Sequence, residues 1–191
     1  MADPVQAIVL AAGSSRRMGS PKALLSWGDT SLVVAHVAAF RAGGLRVVVV
    51  VASDQDPAAL LAARAGAAVI STEGPTASPF ASLAVALRSM KTPHGVYVTP
   101  VDVPPAPPVV LDALSSPTNQ VPVGPDQREG HPVRLDAATC TRVRQGAEPA
   151  EGLRSLLAAA NRVNVPSSVG TDFDTPEAWN QALRSEEEGN G

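Results

Sequence analysis

The chain has 191 residues, enough for one well-buried core and short for two domains. A net charge of −3 and a pI near 5.6 exclude a broadly basic nucleic-acid surface, and the single cysteine, Cys140, excludes an intramolecular disulfide and a cysteine-built zinc cage. No apolar run reaches membrane-spanning length and the opening MADPVQ lacks a basic export segment, so the expectation is a soluble, cytoplasmic protein without a membrane partner.

Residues 5–10 form an apolar run that reads as a buried strand. The segment LAAGSSRRMGSPK, residues 10–22, follows as a small-residue loop with three cations. Residues 31–41 read as a helix. Residues 46–52, with five consecutive valines, read as a strand covered on both faces. Residues 57–64 read as a second helix, because Asp56 supplies an N-cap and Pro57 fits the first helical position. A strand at 67–71 precedes a third helix at 80–90, where Phe80, Leu83, Ala84, Leu87 and Met90 recur at helical spacing. The strand at 95–99 runs into a proline-rich stretch, 100–108, which reads as a rigid loop. Shorter strand candidates are 120–123, 131–135 and 162–165, and helix candidates are 150–160 and 176–184. The tail RSEEEGNG reads as a solvated end.

Strands alternating with helices imply an α/β sandwich around a mostly parallel sheet, in one domain over residues 1–183 with residues 184–191 as its tail. Such sheets take ligands at the carboxyl ends of their strands. The loop at 10–22 stands at such an end. It is not a Walker loop, since five residues separate Gly13 from Gly19 and Ala23 follows Lys22. It is not a dinucleotide fingerprint either, since Gly13 is followed by two serines. Its chemistry nevertheless suits phosphate. Ala11, Ala12 and Gly13 leave the backbone bare, so that N–H groups can approach a ligand, while Arg16, Arg17 and Lys22 bring positive charge. The alternative is a polar loop with solvated cations.

LAAGSSRRMGSPK resembles the signature of the MobA-like nucleotidyltransferases, which include enzymes that add CMP or GMP to molybdopterin. LLSWGDTSLV, SPFASLAVAL, VDVP, GHPV and DFDTPEAW resemble further motifs of that family, in the same order, to about residue 183. The resemblance implies a three-layer α/β/α sandwich with a mixed Rossmann-like sheet, of the nucleotide-diphospho-sugar transferase type. It also implies a nucleotidyltransferase that uses Mg²⁺.

Asp102 follows the 95–99 strand. Before a proline-rich turn an Asp is unremarkable, but at a strand end it can hold Mg²⁺ against phosphates, and the resemblance makes it the first choice of metal ligand. The resemblance casts Arg17 and Lys22 as catalytic cations on the triphosphate beside Asp102. It points Leu10, Ala11, Ala12, Gly13, Arg17, Lys22 and Ser82 to the nucleotide and His131 to the acceptor side, for which Arg154 and Asp172 are further candidates. Each has a bland counterpart: His131 as a structural histidine, Arg154 as an exposed helical cation. Asp174 serves as an N-cap ahead of Pro176 and Glu177. Two departures bear on the base side, Ser78 where the family often has glycine and STEG where it often has Asn or Asp.

Leu10-Ala11-Ala12-Gly13 is typical of the cytidylyl members, where guanylyl members typically show Leu-Ala-Gly-Gly. The Ala12 methyl is expected to narrow the base site in favour of a pyrimidine. The expected reaction is therefore CMP transfer from CTP to molybdopterin, with pyrophosphate as product and a molybdoenzyme as a possible recipient. The alternatives are guanylyl transfer, transfer to a sugar 1-phosphate, and a non-catalytic nucleotide-binding partner of a molybdoenzyme.

Overall fold

Valine-rich runs pair at the centre of the sheet in the computed structural model, which describes residues 6–13, 21–91, 94–146, 148–170 and 179. β1 (Gln6–Ala11) is followed by a 3-10 turn (Lys22–Leu24) and a small hairpin, β2 (Ser26–Trp27) with β3 (Thr30–Ser31). Then come α1 (Leu32–Ala42), β4 (Arg46–Val51), α2 (Pro57–Arg64), β5 (Ala68–Ser71), α3 (Pro79–Ser89) and β6 (Gly95–Pro100). The second half holds α4 (Pro108–Ala113), β7 (Gln120–Val123), β8 (Val133–Asp136), α5 (Ala137–Gln145), α6 (Leu153–Leu156) and β9 (Asn161–Asn164).

Seven strands form one sheet in the order β5-β4-β1-β6-β8-β7-β9, and β8 alone runs antiparallel to its neighbours. Alternate strand residues feed two packed layers. Ala7, Val9, Val47, Val49, Val51 and Tyr97 join α1, α2 and α4 on one face. Ile8, Leu10, Val48, Val50, Val96 and Val98 join α3, α5 and α6 on the other. The result is a single-domain three-layer α/β sandwich, as expected. No helix among the described residues is long and apolar enough to cross a membrane.

Local chemistry accounts for the boundaries. Asp56 caps α2, its Oδ1 accepting from the Ala58 amide at 2.9 Å, with Pro57 in the first turn. β8 begins two residues later than the apolar pattern implies, at Val133 after Pro132, which has no N–H to offer a ladder. The 150–160 helix is a correction. Gly152 has φ 59° and its amide closes a turn on Pro149, so only one helical turn forms, Leu153–Leu156. Arg162 then gathers the carbonyls of Leu157, Ala158 and Ala160 at 3.1, 3.1 and 2.8 Å and turns the chain into β9. The 176–184 helix lies outside the described residues except for Trp179, which is helical and buried, its ring 5.6 Å from that of Trp27.

Candidate active site

β1 lies between β4 and β6, so the chain leaves it to one side and returns on the other. In open sheets such a reversal of strand order places the ligand crevice at the carboxyl ends of the two strands, here β1 and β6. The Val101 amide donates to the Leu10 carbonyl at 3.0 Å, carrying the pairing just past β6. Lys22 enters the crevice from the 3-10 turn after β1, and Asp102 enters from the loop after β6. Lys22 Nζ lies 2.8 Å from Asp102 Oδ2, with side-chain exposures of 12% and 30%. Two residues 80 positions apart in sequence thus form one half-buried ion pair.

The loop around Asp102 alternates inward and outward. Val101 and Val103 are buried, leaving Asp102 between them toward the crevice. Beneath lies His36 on α1, fully buried, with Nε2 3.0 Å from the Val103 carbonyl. A carbonyl only accepts, so Nε2 carries the hydrogen, and Nδ1 is buried without a hydrogen-bond partner. Burial pushes the His36 pKa down to about 4, against the opposing pull of the carbonyls of Val103 and Val101 and of the Asp102 charge. The folded chain therefore resists taking a proton that the unfolded chain accepts near pH 6.5. This stability is complete above that pH and is lost as the pH falls toward 4, by about 3 kcal/mol for one proton. Urea unfolding from pH 7 to 4, with His36→Gln beside wild type, checks this: the variant is expected to show the shallower acid slope.

His131 reaches the same end of the sheet. Val98 pairs with Val133 across β6 and β8, which sets the preceding His131 beside the end of β6. It lies close enough to His36 for their charges to oppose each other. Its amide donates to the Val169 carbonyl at 3.1 Å, and the Gly130 amide donates to Pro122 at 3.0 Å. A Cβ at Gly130 would fall on the Val169 carbonyl, which explains glycine in GHPV. Gly130→Ala is expected to destabilise by about 1–3 kcal/mol through overpacking, read by thermal unfolding.

On the opposite wall, Gly13 is exposed and Ala11 partly buried, whereas Leu10 and Ala12 are buried in the layer shared with Phe80 and Leu83. The Ala12 methyl therefore belongs to the packed layer, not to open space beside a base, which corrects the steric reason given for a pyrimidine. Ser82 is 3% exposed and its hydroxyl is taken up by Thr76 Oγ1 at 2.6 Å. Thr76, whose amide also meets the Ala12 carbonyl at 3.4 Å, is the more accessible of the two hydroxyls at this wall. No spacing in the sequence signals Thr76, because its contact with Ala12 joins segments far apart in the chain. Ser78 caps α3: its Oγ accepts from the Ala81 amide at 3.1 Å and donates to Glu148 Oε2 at 2.8 Å.

Arg154 is exposed on α6, and no hydrogen bond or ion pair among the described residues joins it to Lys22, Asp102 or His131. Arg16, Arg17, Asp172 and Asp174 lie outside the described residues.

A divalent cation suits the chemistry of Asp102. Its Oδ2 meets Lys22, its Oδ1 makes no hydrogen bond among the described residues, and its side chain retains access to solvent. No cluster of three or more metal-ligating side chains occurs among those residues. That donor set fits a cation held by one carboxylate and completed by phosphate oxygens and water, as Mg²⁺ commonly is.

The model of the MobA-like NTP transferase domain matches residues 7–164. The molybdenum cofactor guanylyltransferase of Xanthomonas euvesicatoria pv. vesicatoria (strain 85-10) is 30% identical over 189 residues, covering 94% of this chain and 95% of that protein. The crystal structure of a homologue of Mycobacterium tuberculosis Rv0371c from mycobacterium sp. strain JC1 superposes with a TM-score of 0.80 at 25% identity, over 97% of this chain and 98% of that one. Rv0371c from Mycobacterium tuberculosis H37Rv in complex with manganese gives 0.76 at 22% identity, over 96% and 100%.

Proposed function

The chain belongs to the MobA-like NTP transferase family and is a nucleotidyltransferase, and from that premise we propose that it transfers CMP from CTP to the phosphate of molybdopterin with the help of Mg²⁺. The observation that carries this reading is the meeting of Lys22 and Asp102 at the crevice between β1 and β6. A cation and a carboxylate in contact there provide one group for a triphosphate and one for the metal that accompanies it. The manganese complex of the Mycobacterium tuberculosis protein supports a divalent ion. The Xanthomonas relative supports the molybdenum cofactor as acceptor.

In this mechanism an oxygen of the acceptor phosphate attacks the α-phosphorus in line. The bond from that phosphorus to its bridging oxygen breaks, and pyrophosphate leaves with the electron pair. The acceptor is already an anion, so no strong general base is needed. The task left to the protein is to hold two repelling anions together and to spread the charge of the leaving group. Lys22, with Arg17, would neutralise the phosphates, and Asp102 would be the carboxylate that holds the ion. A bound divalent ion supplies Lewis-acid charge to the phosphate oxygens. With substrate bound, Lys22 would turn from Asp102 to phosphate and leave both carboxylate oxygens for the ion. On the acceptor side, His131 is the described candidate, with Arg154 and Asp172 as further ones.

The choice of base rests on Leu10-Ala11-Ala12-Gly13, which resembles the cytidylyl pattern. A second reading, GMP from GTP, is favoured by the guanylyltransferase name of the Xanthomonas relative. Pyrophosphate release from each of the four nucleoside triphosphates, with Mg²⁺ and either molybdopterin or a hexose 1-phosphate, separates the readings. CTP with molybdopterin is the expected productive pair. A preference for GTP moves the base, turnover with the sugar phosphate moves the acceptor, and nucleotide binding without any pyrophosphate overturns the enzymatic reading.

A further inference from the structure

Asp102 can serve a cation only while its loop keeps the carboxylate in the crevice, and three contacts hold that loop. The Val101 amide is bonded to Leu10 in β1, the side chains of Val101 and Val103 are buried, and the Val103 carbonyl is bonded to His36 Nε2. The first two belong to the sheet and the core. The third is a polar residue placed on the otherwise apolar face of α1, where Leu32, Val33, Val37 and Phe40 are its buried companions. His36 has no solvent contact, and what it supplies beyond the packing of an aliphatic residue of similar volume is a hydrogen bond. Its distinguishing contribution is the bond to the residue after Asp102.

The geometry points to His36 as a positioning residue that, through the Val103 carbonyl, fixes the Asp102 carboxylate for its divalent cation. The inference rests on the reading of Asp102 as a metal ligand. When Lys22 leaves Asp102 for phosphate, the contacts of the loop still hold the carboxylate in place, so His36 carries its share at the moment of cation binding. Partners of this kind typically change metal affinity or activity by about 10–100-fold when lost.

The test is Mn²⁺ binding followed by electron paramagnetic resonance, with CTP or GTP present, for wild type, His36→Leu, His36→Gln and Asp102→Asn. His36→Leu is expected to weaken binding by about 10-fold or more, and His36→Gln, whose amide still donates, to recover most of it. In turnover, His36→Leu should raise the metal concentration needed for half-maximal rate with little change at saturating metal. A merely structural loss would lower the rate and leave that concentration unmoved. In the wild type, nitrogen-15 spectra should show the Nε2–H tautomer, which decides even where His36→Leu fails to fold. An Nδ1–H tautomer, or Mn²⁺ binding by His36→Leu equal to wild type beside a weakened Asp102→Asn, overturns the role of His36 alone. Unweakened Asp102→Asn overturns the metal reading and the inference with it.

Discussion

Asp102→Ala is expected to lower kcat/KM on the order of 10³-fold, the scale of several kcal/mol of transition-state stabilisation from a metal-held charge. Asp102 stands just past the carboxyl end of β6, with one oxygen facing Lys22 at 2.8 Å. Removing it would take away the proposed anchor for the cation while leaving the strands and both packed layers intact, because the side chain is 30% exposed. The variant should therefore fold normally by circular dichroism and require far more Mg²⁺ for its residual activity. Steady-state kinetics across a Mg²⁺ series checks both statements. Turnover and metal dependence near those of the wild type would remove Asp102 from the mechanism.

Lys22→Ala is expected to cost about 10²–10³ in kcat, or roughly 2.7–4 kcal/mol, the effect of deleting one preorganised charge aimed at the reacting group. The rise in negative charge on the departing pyrophosphate makes this a transition-state contribution, so kcat and kcat/KM should fall together. Lys22→Arg should restore only part of the rate. It keeps the charge but replaces a compact ammonium with a planar fork on a differently shaped stem. Because Lys22 and Asp102 touch, the double variant should lose less than the sum of the two single losses. Additive losses would mean that the two residues act on separate steps.

The central strands and the best-capped helix were legible in the sequence. The valines of β4 specify a strand buried on both faces, and Asp56 with Pro57 specifies the start of α2. The periodicity from Phe80 to Leu87 locates α3. Less legible were elements without apolar periodicity. α5, with the sequence AATCTRVRQ, is started by Asp136, whose Oδ1 accepts from the Thr139 amide at 2.7 Å, and buries only Thr139, Cys140 and Val143. α4 begins at Pro108 within what reads as a proline loop, and β2 and β3 have two residues each. In 150–160, alanine propensity points to a long helix that the left-handed Gly152 prevents.

The candidate site shows the same division. Lys22 and Asp102 were legible singly, as a cation after the first strand and a carboxylate after the 95–99 strand. Their contact across 80 positions is a product of the fold. His36 left a fainter signal, a polar residue on the apolar stripe of LVVAHVAAF. The Ser78–Glu148 bond left none, since its partners stand 70 positions apart and meet only in the folded chain.

The most direct measurement is a crystal structure with CTP or GTP and Mn²⁺ bound. Mn²⁺ is expected on Asp102, with the phosphates beside Lys22 and the 2.8 Å ion pair between the two residues broken. A triphosphate bound elsewhere, with Lys22 and Asp102 still in contact, would contradict it.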